Sequence, residues 1–246
     1  MNLLIDIGNT LVKTSVFNDK QEMIFYKNFD KIHSKLEFDK LLSSLPITHA
    51  LISATGQRSP QIEDLLKKHD IPFFFLNHTL KFPFKIDYRT PETLGADRIA
   101  LAAGAILRKP KKNRLIIDAG TCITYDFVDK ENIYRGGAIS PGINMRLKSM
   151  HDYTANLPLV EQYQENQEIP LTGKDTIGCL KTGAIRGAAN EIESFIVNYK
   201  LKHKDLTIFL TGGNQIILER YLKNEIFVNS KFLLFEGMNS ILNMNK

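Results

Sequence analysis

The sequence predicts an α/β protein built from two copies of one β-β-β-α-β-α-β-α unit. Three observations predict it. Short apolar runs of strand length alternate with longer stretches whose apolar residues recur at helical spacing. The same order of elements occurs twice. Each copy opens on one chemical signature, an apolar strand ending in Asp-x-Gly with a threonine close behind: Asp6-Ile7-Gly8-Asn9-Thr10 and Asp118-Ala119-Gly120-Thr121. Two copies of one supersecondary unit sharing one signature are hard to obtain by chance.

In the first copy, residues 3–7 form an apolar run of the buried-strand type. Residues 11–17 form a second strand, joined to it by a tight turn at 8–10, and residues 23–29 a third. Apolar residues at 36, 38, 41, 42 and 45 give residues 35–45 a helical face. Residues 49–54 read as a short strand. Ser59 and Pro60 read as an N-cap followed by proline in the first turn of a helix to about residue 69. Residues 72–76 make a strand, and residues 91–107 contain a long helix. The second copy follows the same plan: strands at 115–118, 122–128 and 132–138, a helical region clearest at 175–202, a strand at 206–210, a helix at 214–222, strand material in 225–235 and a short closing helix at 237–242. The expected domains are residues 1–113 and 114–246. The basic stretch 108–114 between them reads as a solvated connection. The polar stretch 153–173 yields no element.

Composition narrows the class. Hydrophobic residues make up 43% and charged residues 24%, the balance of a globular protein rather than a disordered one. The net charge of +5 leaves room for an anionic ligand without requiring one. Two cysteines without CxxC or metal-ligand spacing exclude a disulfide scaffold, predict small buried thiols and make the cytoplasm the expected location. No run approaches the ~18 apolar residues of a membrane span. Asp6 interrupts the apolar N-terminal run, and no basic segment precedes it. Neither a membrane nor a nucleic acid is the expected partner.

Five segments carry chemistry. In the first hairpin, Gly8 lets the backbone turn sharply and approach a ligand, while Asn9, Thr10 and the exposed N–H groups suit phosphate oxygens. Lys13, three residues on, can reach a terminal phosphate. Asp6 cannot touch phosphate without a cation between them, so its natural charge partner is Mg²⁺ or the water shell of that ion. The competing reading is a plain tight hairpin. In the second hairpin, Asp118 invites a cation in the same way and Thr121 offers a hydroxyl; a simple β-turn is the alternative. Thr93-Leu94-Gly95-Ala96-Asp97-Arg98 begins a helix, with Thr93 as a possible N-cap. Asp97 is placed to take a proton from a hydroxyl and Arg98 to bind an anion bidentately; a surface ion pair is the alternative. Glycine-rich turns at 136–142 and 211–214 are either ligand walls or structural turns. The chain lacks a Gly-x-x-x-x-Gly-Lys-Ser/Thr loop, a Gly-x-Gly-x-x-Gly fingerprint and a Gly-x-Ser-x-Gly elbow.

With these motifs in order, the duplicated unit resembles the superfamily of acetate and sugar kinases, Hsp70 and actin. That resemblance implies two ribonuclease H-like domains, an actin-like ATPase fold, with a cleft between them. Within the superfamily, Asp6-Ile-Gly-Asn-Thr-Leu-Val-Lys13, Gly95-Ala-Asp-Arg98, Asp118-Ala-Gly-Thr121, Gly137-Ala-Ile-Ser-Pro-Gly142 and Gly173-Lys-Asp-Thr176 resemble the type III pantothenate kinases, from residue 6 to about residue 213. The resemblance implies that Asp6, Ile7, Gly8, Asn9, Thr10, Leu11, Val12 and Lys13 bind ATP with Mg²⁺, and that Thr121 also contacts ATP. It implies a pantothenate site of Tyr88, Gly95, Ala96, Asp97, Arg98 and Thr176, with Asp97 as the base and Thr176 reaching over from the neighbouring subunit of a homodimer. Asp118 would bind K⁺ or NH₄⁺. The implied product is 4′-phosphopantothenate, formed in the first step of coenzyme A synthesis. A non-catalytic nucleotide-binding relative is the rival class, and the joint presence of Asp6, Asp97 and Asp118 favours the enzyme.

Overall fold

Consecutive apolar runs joined by tight turns pair as neighbours, and β1 (Asn2–Ile7), β2 (Leu11–Phe17) and β3 (Met23–Asp30) form an antiparallel meander. The chain then crosses through α1 (Lys35–Ser44) to β4 (His49–Ala54), which pairs parallel with β1. A second crossover, α2 (Pro60–Lys68), leads to β5 (Phe73–Phe75), parallel to β4. The sheet order is β3-β2-β1-β4-β5. Its central strands are buried on both faces, with Leu3, Leu4, Ile5, Leu51 and Ile52 excluded from solvent, as an internal strand flanked by crossover helices must be. Phe38, Leu41, Leu42, Ile62, Leu65 and Leu66 of α1 and α2 cover one face. Ser59 is the N-cap of α2 and Pro60 opens it, but the serine side chain makes no capping hydrogen bond. The two-residue strand β6 (Lys85–Ile86) and a 3₁₀ turn at Pro91–Thr93 precede α3 (Ala96–Arg108).

The computed structural model describes residues 1–8, 11–30, 35–54, 59–161, 163, 168–222, 227–228 and 231–246. The chain forms two compact units, Met1–Pro110 with Phe232–Lys246, and Lys111–Lys231. In the second unit β7 (Asn113–Ala119), β8 (Cys122–Val128) and β9 (Ile133–Pro141) form another antiparallel meander. Helical segments α4 (Ile143–Asp152), α5 (Thr176–Lys181), a π-helical turn (Thr182–Arg186) and α6 (Gly187–Lys202) follow. Next come β10 (Leu206–Thr211), parallel to β7, α7 (Gln215–Glu219), and β11 (Phe227–Val228), parallel to β10. The five strands of the second unit itself follow the order β9-β8-β7-β10-β11, which repeats the order β3-β2-β1-β4-β5 of the first.

The closing helix α8 (Leu233–Asn245) belongs to the first unit, whereas the sequence reading assigns residues 114–246 to the second. Glycine is the reason. A Cβ on Gly104 of α3 would stand 2.2 Å from the Leu233 carbonyl oxygen, and one on Gly237 of α8 would stand 1.8 Å from that of Ala100. The two helix backbones touch at these glycines. Asn2 of β1 adds hydrogen bonds to Asn239 and Asn243, at 2.7 and 2.9 Å.

Other local expectations shift. The helix expected at 175–202 is three consecutive helical pieces, and α4 is a separate helix. Strand material in 225–235 reduces to two residues, with 225, 226, 229 and 230 outside the described residues; the closing helix is longer than expected because Leu233 and Phe235 already face the core. The stretch 108–114 is not solvated throughout. Arg114 is fully buried in β7, where its guanidinium donates to the Asp129 carbonyl and to Asn132, both at 2.9 Å, and burial pulls its pKa down to about 10. Arg108 Nε pairs with Glu236 at 2.6 Å. Both cysteines are free, but Cys179 is exposed rather than buried because it lies on the outer face of the short α5. No helix among the described residues is long and apolar enough to cross a membrane.

Candidate active site

Asp6 is the penultimate residue of β1. Strand register puts it opposite Lys13 on β2 and opposite Ser53 on β4, so the three side chains emerge on one face of the sheet. Lys13 Nζ stands 4.0 Å from Asp6 Oδ2, and Ser53 Oγ donates to Asp6 Oδ1 at 3.1 Å. Burial pushes the Asp6 carboxyl up, Lys13 and Ser53 work against it, and the Asp97 carboxylate pushes it further up. Asp6 is thus a buried acid, 6% exposed, with one cation at the limit of ion-pair distance. A further cation at this carboxylate would favour its ionised form.

The turn beyond Asp6 closes on itself through Gly8 N donating to Leu11 O at 3.1 Å. Ile7 and Val12 pair with each other and are buried, so only their backbones are available to a ligand; Leu11 is half-buried. Asn9 and Thr10 lie outside the described residues.

Asp97 lies in the first turn of α3. Gly95, not Thr93, is the N-cap residue; the Thr93 hydroxyl instead donates to the Thr90 carbonyl at 2.8 Å. Asp97 Oδ1 accepts the backbone N–H of Arg98 at 2.8 Å, and a Cβ on residue 95 would stand 2.5 Å from that oxygen. Glycine at 95 therefore makes the space the carboxylate occupies. Desolvation pushes the Asp97 carboxyl up, opposed by the Arg98 N–H and charge and by Lys13. A half-buried carboxylate whose affinity for a proton has been raised suits a general base. Ala96 and Arg98 are buried beside it, and Tyr88 is half-buried two residues past β6. Asp6, Lys13, Ser53 and Asp97 form one electrostatic cluster within the first unit. Ser53 was absent from the sequence reading; the parallel pairing of strand 49–54 with β1 is the signal that would have found it.

The second unit repeats the arrangement with different chemistry. Asp118 is the penultimate residue of β7, opposite Thr124 on β8 and Thr211 on β10. Gly212, at φ +96°, lies so close that a Cβ there would stand 2.4 Å from Asp118 Oδ1. The Thr124 hydroxyl is buried without a hydrogen-bond partner among the described residues. Gly120 N donates to Cys122 O at 3.0 Å, the counterpart of the Gly8 bond. Asn214 straps this turn from the side: its backbone N–H donates to Ala119 O at 2.9 Å and its amide to Gly120 O at 3.3 Å, while Tyr163 holds its side chain at 2.6 Å. Gly142 N donates to Thr121 O at 3.0 Å, and a Cβ on Gly142 would stand 2.3 Å from Gly120 O. Gly137 is a sheet-packing residue, its missing Cβ replaced by the Tyr125 carbonyl. The 136–142 segment is thus a strand at one end and a brace for the Thr121 turn at the other. Thr176 is exposed at the start of α5, where Asp175 Oδ1 accepts the Gly178 N–H at 2.7 Å.

Among the described residues no group of three or more His, Cys, Asp or Glu could cage a metal. Single carboxylates at strand ends fit a different use, in which substrate phosphates complete the coordination of Mg²⁺.

Two units whose own five strands follow the same order, each with an acid at the end of its first strand, define an actin-like ATPase fold. The chain is accordingly similar to the structure of the activator of 2-hydroxyisocaproyl-CoA dehydratase from Clostridium difficile with bound ADPNP, with TM-score 0.55 and 12% identity, covering 99% of this chain and 93% of that one. That likeness establishes the fold alone.

The family follows from the sequence. Residues 2–198 match the family model of type III pantothenate kinase. The chain is 44% identical to the type III pantothenate kinase of Christiangramia forsetii, over all of this chain and 99% of the relative. It is 42% identical to that of Flavobacterium johnsoniae, over 95% of this chain and 94% of the relative. The chain belongs to the type III pantothenate kinase family.

Proposed function

We propose that this protein transfers the γ-phosphoryl group of ATP to the primary hydroxyl of pantothenate, giving 4′-phosphopantothenate and ADP at the first step of coenzyme A synthesis. Membership of the family supports the overall reaction. The observation that carries the mechanism is the raised Asp97 carboxyl beside the Asp6–Lys13 pair. Asp97 takes the proton of the hydroxyl as the new oxygen–phosphorus bond forms and the bond to the β-phosphate oxygen breaks. Phosphoryl transfer asks chiefly for positioning and charge neutralisation. The backbone of residues 6–13 cradles the phosphates and Lys13 contributes a fixed positive charge. Mg²⁺, when bound, neutralises phosphate charge, and Asp6 is the carboxylate that would hold it or its water shell.

Gly95 to Arg98 and Tyr88 line the pantothenate site, and Thr176 reaches it from the neighbouring subunit of a homodimer. Thr121 contacts ATP. A monovalent cation, K⁺ or NH₄⁺, fits beside Asp118. The Asp118 carboxylate and the unpartnered Thr124 hydroxyl oxygen opposite it are the oxygens that support this reading, with Gly212 leaving room for the carboxylate itself. The reaction takes place in the cytoplasm. ADP release from purified protein given ATP, Mg²⁺, K⁺ and pantothenate tests the reading. Turnover with pantothenate is expected; turnover only with a sugar or acetate would sink it.

A further inference from the structure

We infer that Glu191 is a positioning residue for the ATP-contacting turn at Thr121, acting through Ser140, Arg146 and Gly142. The inference rests on the proposed contact of Thr121 with ATP. Glu191 lies on α6, half-buried, and accepts from three side chains on three other elements. Its Oε1 accepts from Tyr125 Oη of β8 at 2.7 Å and from Ser140 Oγ of β9 at 2.5 Å. Its Oε2 accepts from the Arg146 guanidinium of α4 at 2.5 Å. Burial disfavours its charge, but the donors outweigh it and hold the carboxyl below the usual range. Tyr125 is fully buried and stacked on Phe195 at 4.0 Å, which fixes one end of the network in the core.

The other end of the network reaches the turn. Arg146 also donates from Nε to the Pro141 carbonyl at 2.8 Å. Glu191 and Arg146 therefore grip the two residues that lead into Gly142, Ser140 and Pro141. Gly142 in turn donates to the Thr121 carbonyl and packs on the Gly120 carbonyl with no space for a side chain. A single carboxylate on a core helix thus sets the height of the 140–142 turn, and backbone contact passes that height to Gly120 and Thr121. Glu191 is too deep in the network to serve as a ligand itself, since its oxygens are taken up by Tyr125, Ser140 and Arg146. A core helix with only a packing duty would place an apolar residue here; a charged hub that accepts from two strands and a helix fixes an orientation.

The test is steady-state kinetics on Glu191→Gln and on Ser140→Ala, with Thr121→Ala as the direct-contact control and the double variant Thr121→Ala/Glu191→Gln. The KM for ATP is expected to rise about tenfold in Glu191→Gln and a few-fold in Ser140→Ala, with the KM for pantothenate within about twofold of its normal value. The double variant should be no worse than the more damaged single variant, because residues acting through one another are not additive. Ser140→Ala keeps the test usable if Glu191→Gln folds poorly. A lower Tm and lower kcat with an unchanged KM for ATP would reveal a merely structural role and overturn the inference. So would additive effects in the double variant. If Thr121→Ala also leaves the KM for ATP unchanged, the ATP reading of the turn fails and the inference falls with it; if Thr121→Ala raises it and the other two variants do not, only the inference falls.

Discussion

The two Asp-x-Gly turns occupy the same place in the same sheet order, yet they hold their acids differently. Asp6 faces an ammonium and a hydroxyl, Lys13 and Ser53; Asp118 faces two hydroxyls, Thr124 and Thr211. Lys13 and Thr124 stand at equivalent positions of the two hairpins. One turn therefore carries its positive charge covalently. The other sets its carboxylate opposite a buried hydroxyl oxygen, Thr124, and it is there that a monovalent cation is proposed. The strand plan is the same in both copies, and the residue across the hairpin differs. The lesson is that a repeated motif need not repeat its chemistry: the acid is retained in both copies, and the residue across the hairpin decides what the acid is for.

Three substitutions sharpen or break this comparison. The largest effect is expected at the proposed base, Asp97 of the first unit. Asp97→Asn should lower kcat by about 10²-fold or more while ATP binding, measured by titration, is retained. The same variant should be more stable at neutral pH. Because the Asp97 carboxyl is raised in the folded state, its contribution to stability is fully present below the ordinary carboxylate range and is lost as pH rises through the raised value. Asparagine removes that loss, so Tm should exceed the parent's by a few degrees at about pH 8 and converge with it towards about pH 4. A lower Tm at about pH 8 would show that desolvation does not dominate at this carboxyl.

Lys13→Met comes next. Removing one charge-assisted contact to phosphate should raise the KM for ATP about tenfold, equivalent to ~1.4 kcal/mol. The smallest effect is expected of Thr124→Val, which should raise the K⁺ concentration for half-maximal rate several-fold and leave the KM for ATP unchanged at saturating K⁺. If Thr124→Val alters ATP affinity as much as Lys13→Met does, the division of charge between the turns is wrong.

Most of the sheet architecture was legible in the sequence because it rests on periodicity and on short turns. The six meander strands, β4 and β10, and the crossover helices follow from apolar runs of strand length and from helical spacing. Register was not legible, and register is what joins Ser53 to Asp6 and Thr124 to Asp118. Cross-strand partners depend on tertiary pairing that no local window contains. The assignment of α8 was missed for a related reason. Nothing local at Gly104 or Gly237 says that each glycine exists to admit the other helix's backbone. The N-cap at Thr93 was a reasonable reading of residue type, and a nearer partner won: the threonine hydroxyl bonds back within its own 3₁₀ turn. The Glu191 network was invisible because its members, residues 125, 140, 146 and 191, share no spacing. As for the site itself, Asp6, Lys13 and Asp97 were found as separate motifs, and the fold shows the first unit gathering them into one electrostatic cluster.

The docking of α8 on α3 also fixes the order in which the chain can assemble. Asn2 bonds Asn239 and Asn243 across almost the whole length of the sequence, and Gly237 lies against the helix that begins at Asp97's turn. During synthesis residues 232–246 leave the ribosome after the entire second unit. The second unit is continuous in sequence and has all its strands in hand before then, whereas the first, although begun earlier, lacks the helix that covers α3. The half of the protein that is translated first therefore receives its covering helix only after the second unit has been made.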